Sequence, residues 1–330
     1  TWEAASTNVF SRGDKALALC TGRFTHGWAD MTERLGVEVE RLDFGRRSAI
    51  DLDAVEAALR ADTGHALKAV MAVQVDTATS VLNDVAALRK LLDRVGHPAL
   101  LMIDAVASLG VDEFHMDAWG ADVLLTASQK GLMTPPGVGF VYFNNKAEAA
   151  RERADCVTGY WDWRPRANAE VFYQYFCGTA PTHHLYGLRT ALDLMMDEGM
   201  EAIWARHDAL ARAVWAAVDA WGTDGPLELN IGDPAIRSRG VTAVRAGKEH
   251  GTRLRNWVSE HAGVTLGIGL GMQTEEDPAA DGFFRIGHMG FVNAQMVMGA
   301  LGTVDAGLKA LDVPHGSGAL EAAAGVLAGA

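Results

Sequence analysis

Two residues offer the clearest chemistry in this sequence, an aspartate and a lysine that each close an apolar run. Leu101-Met102-Ile103 ends on Asp104, and Val123-Leu124-Leu125-Thr126-Ala127-Ser128-Gln129 ends on Lys130, ahead of the tight turn Thr134-Pro135-Pro136-Gly137. Open α/β sheets bind ligands at the carboxyl ends of their strands, so residues just past such runs are read first. A lysine held away from water loses proton affinity and becomes a usable amine nucleophile. A carboxylate facing a heteroaromatic ring nitrogen keeps that nitrogen protonated, and the ring then accepts electrons from a carbanion. An Asp and a Lys at neighbouring strand ends can therefore act on opposite ends of one flat cofactor. Taken singly, each reads more readily as half of a buried ion pair, or as a lysine that caps a strand.

The elements that must position them follow from apolar periodicity. Strands are expected at 15–20, 69–75 and 99–103, with further β-leaning runs at 37–42, 121–125 and 138–143. Helical patterns fall between them at 28–35, 51–61 and 84–95, the second with Asp51 and Asp53 at its start, where a helix N-terminus favours acids. Strands spaced by helices imply a mostly parallel sheet covered on both faces. The run Trp161-Asp162-Trp163-Arg164-Pro165-Arg166 breaks this rhythm and reads as a loop. Long helices are expected at 184–196 and 200–221, then short strands at 240–244, 264–267 and 283–286. The chain thus divides into a large α/β domain, 1–185, and a smaller C-terminal α+β domain, 186–330, whose Ala-rich tail reads as a fraying helix.

Composition narrows the function. The net charge of −13 repels phosphate backbones and anionic lipids, so neither nucleic acid nor a membrane surface is an expected partner. No apolar run approaches the roughly 18 residues that span a bilayer. No charged stretch followed by an apolar one opens the sequence, so no signal peptide is read and the cytoplasm is the expected location. Cys20, Cys156 and Cys177 are too few and too scattered for a disulfide framework or a zinc site, and read as buried or half-buried thiols. No metal is expected.

The combination of motifs resembles the class V, fold-type-I aminotransferases that use pyridoxal 5'-phosphate (PLP), the group of alanine–glyoxylate and serine–glyoxylate enzymes. The resemblance rests on Asp104-Ala105-Val106-Ala107-Ser108-Leu109-Gly110, Asp117-Ala118-Trp119-Gly120-Ala121-Asp122, Ser128-Gln129-Lys130-Gly131-Leu132 and Pro135-Pro136-Gly137, and extends to Phe284-Arg285-Ile286-Gly287-His288-Met289-Gly290. It covers essentially the whole chain. It implies a seven-stranded-type sheet and a homodimer with shared active sites. Lys130 would form the Schiff base with PLP and later shuttle the proton. Asp104 would bind the pyridine nitrogen, Val106 and Phe24 would cover the two ring faces, and Gln129 would sit near the phosphate. Thr179, in Gly178-Thr179-Ala180-Pro181, would reach the phosphate from the partner subunit. Arg285 would hold the substrate's α-carboxylate, a role its two-pronged guanidinium suits.

The sequence departs from the family in places. The phosphate-cradling turn that relatives carry is expected to lie in a segment ahead of Thr1-Trp2-Glu3-Ala4. Ala78 stands where relatives carry a polar residue near the ring hydroxyl, which leaves that task to Thr77 or Thr79, and Phe176 replaces a tyrosine.

Rival readings fare worse. Gly267-Ile268-Gly269-Leu270-Gly271 lacks the helix that a dinucleotide fingerprint needs, because an acidic loop follows. His183-His184 and His288 have no ligand spacing for zinc, and no paired acids suggest a glycosidase. A cysteine desulfurase needs a reactive cysteine beyond Cys177, where none occurs. A non-catalytic binding protein on the same fold has no need of a buried amine. The expectation is an aminotransferase that moves an amino group from a small amino acid to a 2-oxo acid such as glyoxylate or pyruvate. Pyridoxamine–pyruvate transfer is the alternative within the family. Arg23, Arg164 and Arg166 could meet a second carboxylate on the donor, or could equally face water.

Overall fold

The chain is described by a computed structural model over residues 1–329. Helix α1 (Trp2–Val9) leads into β1 (Lys15–Cys20), α2 (Arg23–Arg34), β2 (Glu38–Asp43), α3 (Leu52–Ala61) and β3 (Leu67–Val73). Two short strands, β4 (Val75–Asp76) and β5 (Val81–Leu82), form a hairpin before α4 (Val85–Val95), β6 (Leu100–Asp104), β7 (Val123–Ala127) and β8 (Gly139–Phe143). Helices α5 (Asn145–Arg151) and α6 (Arg164–Ala167) precede a 3-10 turn at Phe172–Phe176, then the long α7 (Thr182–Glu198) and α8 (Met200–Gly222). The remainder is β9 (Glu228–Leu229), β10 (Val241–Arg245), α9 (Gly251–Ala262), β11 (Gly267–Ile268), β12 (Phe283–Gly287), α10 (Ala294–Ala310) and α11 (Ala319–Ala328).

Local chemistry accounts for several boundaries. Asp51 caps α3 by accepting from the backbone N–H of Asp53 at 2.9 Å, and Asp84 caps α4 through Ala87. Helix α4 stops at Gly96, which takes the left-handed conformation (φ 70°) that glycine adopts without strain. The expected loop at 161–166 instead begins a short helix at Arg164, with Pro165 in its first turn, where a missing N–H costs nothing. Helix α2 starts five residues before the expected 28, at Arg23, and β11 lies at 267–268 rather than 264–267.

The main sheet runs in the order β2-β1-β3-β6-β7-β8, parallel except for β8, which is antiparallel to β7. It has six strands, not the seven that the resemblance implies. Helices α3 and α4 bury Val55, Leu59, Leu88 and Leu91 on one face; α1 and α2 bury Val9 and Trp28 on the other. Each such fully buried side chain contributes about 1.5–3 kcal/mol relative to an exposed one. The second sheet, β11-β12-β10-β9, is antiparallel, and its Val244, Phe284 and Ile286 pack with α8 to α11 in a separate core. No helix among the described residues is long and apolar enough to cross a membrane. Cys20 and Cys156 are buried, whereas Cys177 is exposed because the turn it closes lies on the surface.

Candidate active site

Parallel register brings the key strand ends together. Asp104 pairs with Val73 of β3 and Leu125 of β7, so β3, β6 and β7 end side by side. Beyond β7 the chain turns sharply, and Ser128 ties the turn down: its hydroxyl donates to Pro135 O at 2.8 Å, and its carbonyl accepts from Thr134 N at 2.9 Å. The next loop packs so closely that a Cβ on Gly131 would lie 2.1 Å from Leu109 O, so only glycine fits between Lys130 and the Asp104 loop.

A cavity of about 550 Å³ opens at these strand ends, and Phe24, Thr77, Asp104, Val106, Gln129 and Lys130 all line it. Six of the residues singled out in the sequence therefore share one concavity. Arg285 adjoins it through Thr77, whose carbonyl accepts from Nη1 at 2.7 Å, while Nε donates to Ile268 O at 2.7 Å. Thr179 is exposed on a loop outside the cavity, as is Phe176's turn. Arg164 is taken by Glu148 and Arg166 by backbone carbonyls of Tyr160 and Tyr175, so neither points to the cavity.

The electrostatics suit amine and ring chemistry. Burial holds the Lys130 ammonium below its ordinary range, and the positive charge of Arg285 lowers it further. Asp104 is buried, and that burial pushes its carboxyl up to about 6. The Val106 N–H at 2.7 Å and the Trp2 indole N–H at 2.6 Å work against the rise by donating to the ionised form. Each carboxylate oxygen then carries one protein donor and keeps a lone-pair direction for another, so a protonated ring nitrogen can still be accepted. Burial also lowers the guanidinium of Arg285, which the neighbouring Asp76 opposes.

Trp2 lines this cavity, and Asp76 and Ser128 support its walls; none of the three was given a role in the sequence. Asp76 follows a buried strand just as Asp104 does, a signal that could have found it; Trp2 and Ser128 are polar-tipped residues whose partners are remote in sequence or local to a turn. Among the described residues, no cluster of His, Cys, Asp and Glu could hold a metal ion.

Solved aminotransferases share this fold. Ureidoglycine–glyoxylate aminotransferase from Bacillus subtilis matches with a TM-score of 0.86 at 26% identity, covering 98% of this chain and 81% of that one. Pyridoxamine–pyruvate aminotransferase from Mesorhizobium loti matches with a TM-score of 0.86 at 27% identity, covering 99% and 81%. The fold is thus that of the PLP-dependent, fold-type-I aminotransferases. Aminotransferase class-V matches residues 4–294, and the chain belongs to this family. L-aspartate–glyoxylate aminotransferase of Paracoccus denitrificans is 38% identical over 329 residues, 98% of this chain and 79% of that protein. Serine–glyoxylate aminotransferase of Methylorubrum extorquens is 38% identical over 326 residues, 96% and 78%. The chain is an aminotransferase, and its cofactor is PLP.

Proposed function

We propose that the cavity at the ends of β6 and β7 holds PLP and that the enzyme passes an amino group from a small amino acid to a short 2-oxo acid, glyoxylate or pyruvate. The observation that carries this reading is that Lys130 and Asp104 open into one cavity that Phe24 and Val106 also line. When bound, the cofactor supplies an aldehyde that condenses with amines and a ring that accepts the electron pair left when a Cα–H bond breaks. Asp104 as a carboxylate would accept from the ring nitrogen and hold it in its protonated form. Phe24 stacks on one ring face, worth on the order of 1 kcal/mol, and Val106 packs on the other. Thr77 reaches the ring hydroxyl and Gln129 lies by the phosphate.

Lys130 has three tasks in this reading. Its depressed ammonium is more often a free amine, which would hold the cofactor through its aldehyde. With substrate bound, its amine would carry a proton away from Cα in the first half of a ping-pong cycle and would deliver one to Cα of the product in the second. Arg285 meets the α-carboxylate of donor and acceptor alike, because both carry one. The amino donor is aspartate or serine by analogy with the two relatives, whose names pair those amino acids with glyoxylate.

The working unit in this proposal is a cytoplasmic homodimer, with Thr179 reaching the partner's phosphate site. Support comes from apolar side chains left open to solvent on the same stretch: Phe172 is 62% exposed, Tyr186 77% and Met196 75%. A single subunit that exposes so much apolar surface has the composition of an interface. The division into a large domain up to residue 185 and a small one beyond it belongs to the same proposal.

The test is the visible spectrum of the protein with PLP, before and after serine, alanine and aspartate are added in turn. Conversion of the yellow band by one donor, restored by glyoxylate, is the expected result and names the donor. If no donor acts while pyridoxamine plus pyruvate turns over, the aminotransferase is of the free-pyridoxamine kind and the proposed donor class is wrong.

A further inference from the structure

Asp76 is a fully buried acid that the reading above leaves without a task. Its carboxylate accepts three backbone N–H groups: Phe24 on Oδ2 at 2.8 Å, and Ala78 at 2.9 Å and Thr79 at 3.3 Å on Oδ1. The first donor lies in the opening turn of α2, whose own cap, Gly22, has no side chain to offer. Asp76 thus caps α2 from a distant segment, where a negative charge also suits the helix N-terminus. The other two bonds close the turn 76–80 around Thr77, and Thr77 O is the anchor of Arg285. The charge on Asp76 favours the guanidinium form of the same arginine. A second pair of ties holds the two segments together, Thr79 Oγ1 to Thr21 O at 3.1 Å and Asn83 Nδ2 to Thr21 Oγ1 at 3.0 Å. The approach depends on Gly22, where a Cβ would stand 2.5 Å from Asp76 Cγ.

We propose that Asp76 is a positioning residue for amino-group transfer: one buried carboxylate that fixes the backbone beneath Phe24 and the turn that anchors Arg285, and so sets the ring face and the substrate-carboxylate clamp relative to each other. It does not line the cavity and acts only through those two residues. The inference rests on the roles proposed above for Phe24 and Arg285. An amide cannot replace it, because asparagine has one acceptor oxygen and must turn its NH2 toward either Phe24 N or the Ala78–Thr79 pair.

Asp76→Asn tests this in the PLP-loaded enzyme and in the cofactor-stripped protein. Cofactor affinity, read from quenching of tryptophan fluorescence, is expected to weaken on the order of tenfold or more, because a buried donor is left unpaired. KM for both substrates rises by a similar factor, with a smaller fall in kcat. Gly22→Ala is the second variant. Gly22 has φ 163°, extended backbone that alanine adopts freely, so the added methyl acts by displacing Asp76. It is expected to reproduce both changes with the charge intact, and it decides the matter if Asp76→Asn does not fold. Folded variants with cofactor affinity and KM within about twofold of the parent overturn the proposal, as does a lowered melting temperature alone. Phe24→Ala and Arg285→Lys are measured beside them. If these two also leave affinity and KM unchanged, the site reading itself fails; if they move and the Asp76 and Gly22 variants do not, only the positioning role fails.

Discussion

The indole N–H of Trp2 donates to Oδ2 of Asp104 at 2.6 Å, a bond between the first helix and the end of β6. It favours the ionised carboxylate and works against the burial that pushes Asp104 up to about 6. Trp2→Phe keeps the ring and loses the donor, so Asp104 takes up its proton at higher pH. The acid limb of kcat/KM is expected to move upward by on the order of one pH unit, with the plateau largely kept. A pH profile of both enzymes checks this, and an unmoved limb would show that a group other than Asp104 governs it.

Lys130→Ala removes the only amine that lines the cavity from a side chain among the described residues. Turnover is expected to fall by several orders of magnitude while circular dichroism and melting behaviour stay close to those of the parent. Single-turnover assays with excess protein give the comparison. Near-normal activity would end the proposed mechanism.

Arg285→Lys exchanges a planar fork for a point charge. Nε and Nη1 are already spent on Ile268 O and Thr77 O, so the fork is held in one orientation by the protein. Lysine can copy neither the anchoring nor a two-bond grip on a carboxylate. KM for donor and acceptor is expected to rise about tenfold to a hundredfold, more than kcat falls. Equal KM values would place carboxylate recognition elsewhere.

Much of this arrangement was legible in the sequence because it depends on strand ends. Asp104 closes an apolar run and Lys130 lies three residues beyond the end of another, and parallel register then brings the two strand ends together. Phe24, Thr77, Val106 and Gln129 were recognised through motifs and reach the same cavity. Trp2 and Asp76 were not, because each acts through a bond spanning a long stretch of chain, 102 residues for Trp2–Asp104 and 52 for Asp76–Phe24. No local pattern encodes such a partner. Thr179 stays apart from the cavity because its loop is on the surface, so its proposed role needs a second subunit. Helix α6 was hidden by Trp163-Arg164-Pro165-Arg166, where proline reads as a breaker yet fits the first turn of a helix.

His288 gives the fold an acid-sensitive element. It is fully buried as a neutral ring, with Nδ1–H donating to Arg239 O at 2.8 Å and Nε2 accepting from the Thr242 hydroxyl at 2.9 Å. Burial lowers its pKa to about 4. Since the folded value lies below the unfolded one near 6.5, its contribution is full above that value and is lost as pH falls toward 4, about 3 kcal/mol over the window. Asp112 pulls the other way. Burial raises it to about 6, so its contribution is present at low pH and lost as pH rises through 6. His288→Gln should flatten the fall in denaturant midpoint of the cofactor-free protein between pH 7 and 5, and Asp112→Asn should steepen it. Parallel curves for all three proteins would show that neither group sets the pH dependence.

The exposed side chains of α7 and the preceding turn set the last expectation. Tyr186 and Met196 lie on α7, and Phe172, Tyr173 and Tyr175 on the turn that leads to Thr179, all of them more than half exposed. Tyr186→Asp puts a charge into the centre of this surface without touching the core. If two copies meet there, desolvating an unpaired carboxylate costs several kcal/mol, and the mass measured by light scattering should fall to that of a 35.2 kDa monomer. Cofactor affinity should fall with it if Thr179 reaches the phosphate across the interface, as proposed. Thr179→Ala should weaken PLP binding while leaving the dimer whole, which separates loss of one contact from loss of the partner. A Tyr186→Asp monomer that binds PLP as tightly as the parent would mean that each subunit completes its own site.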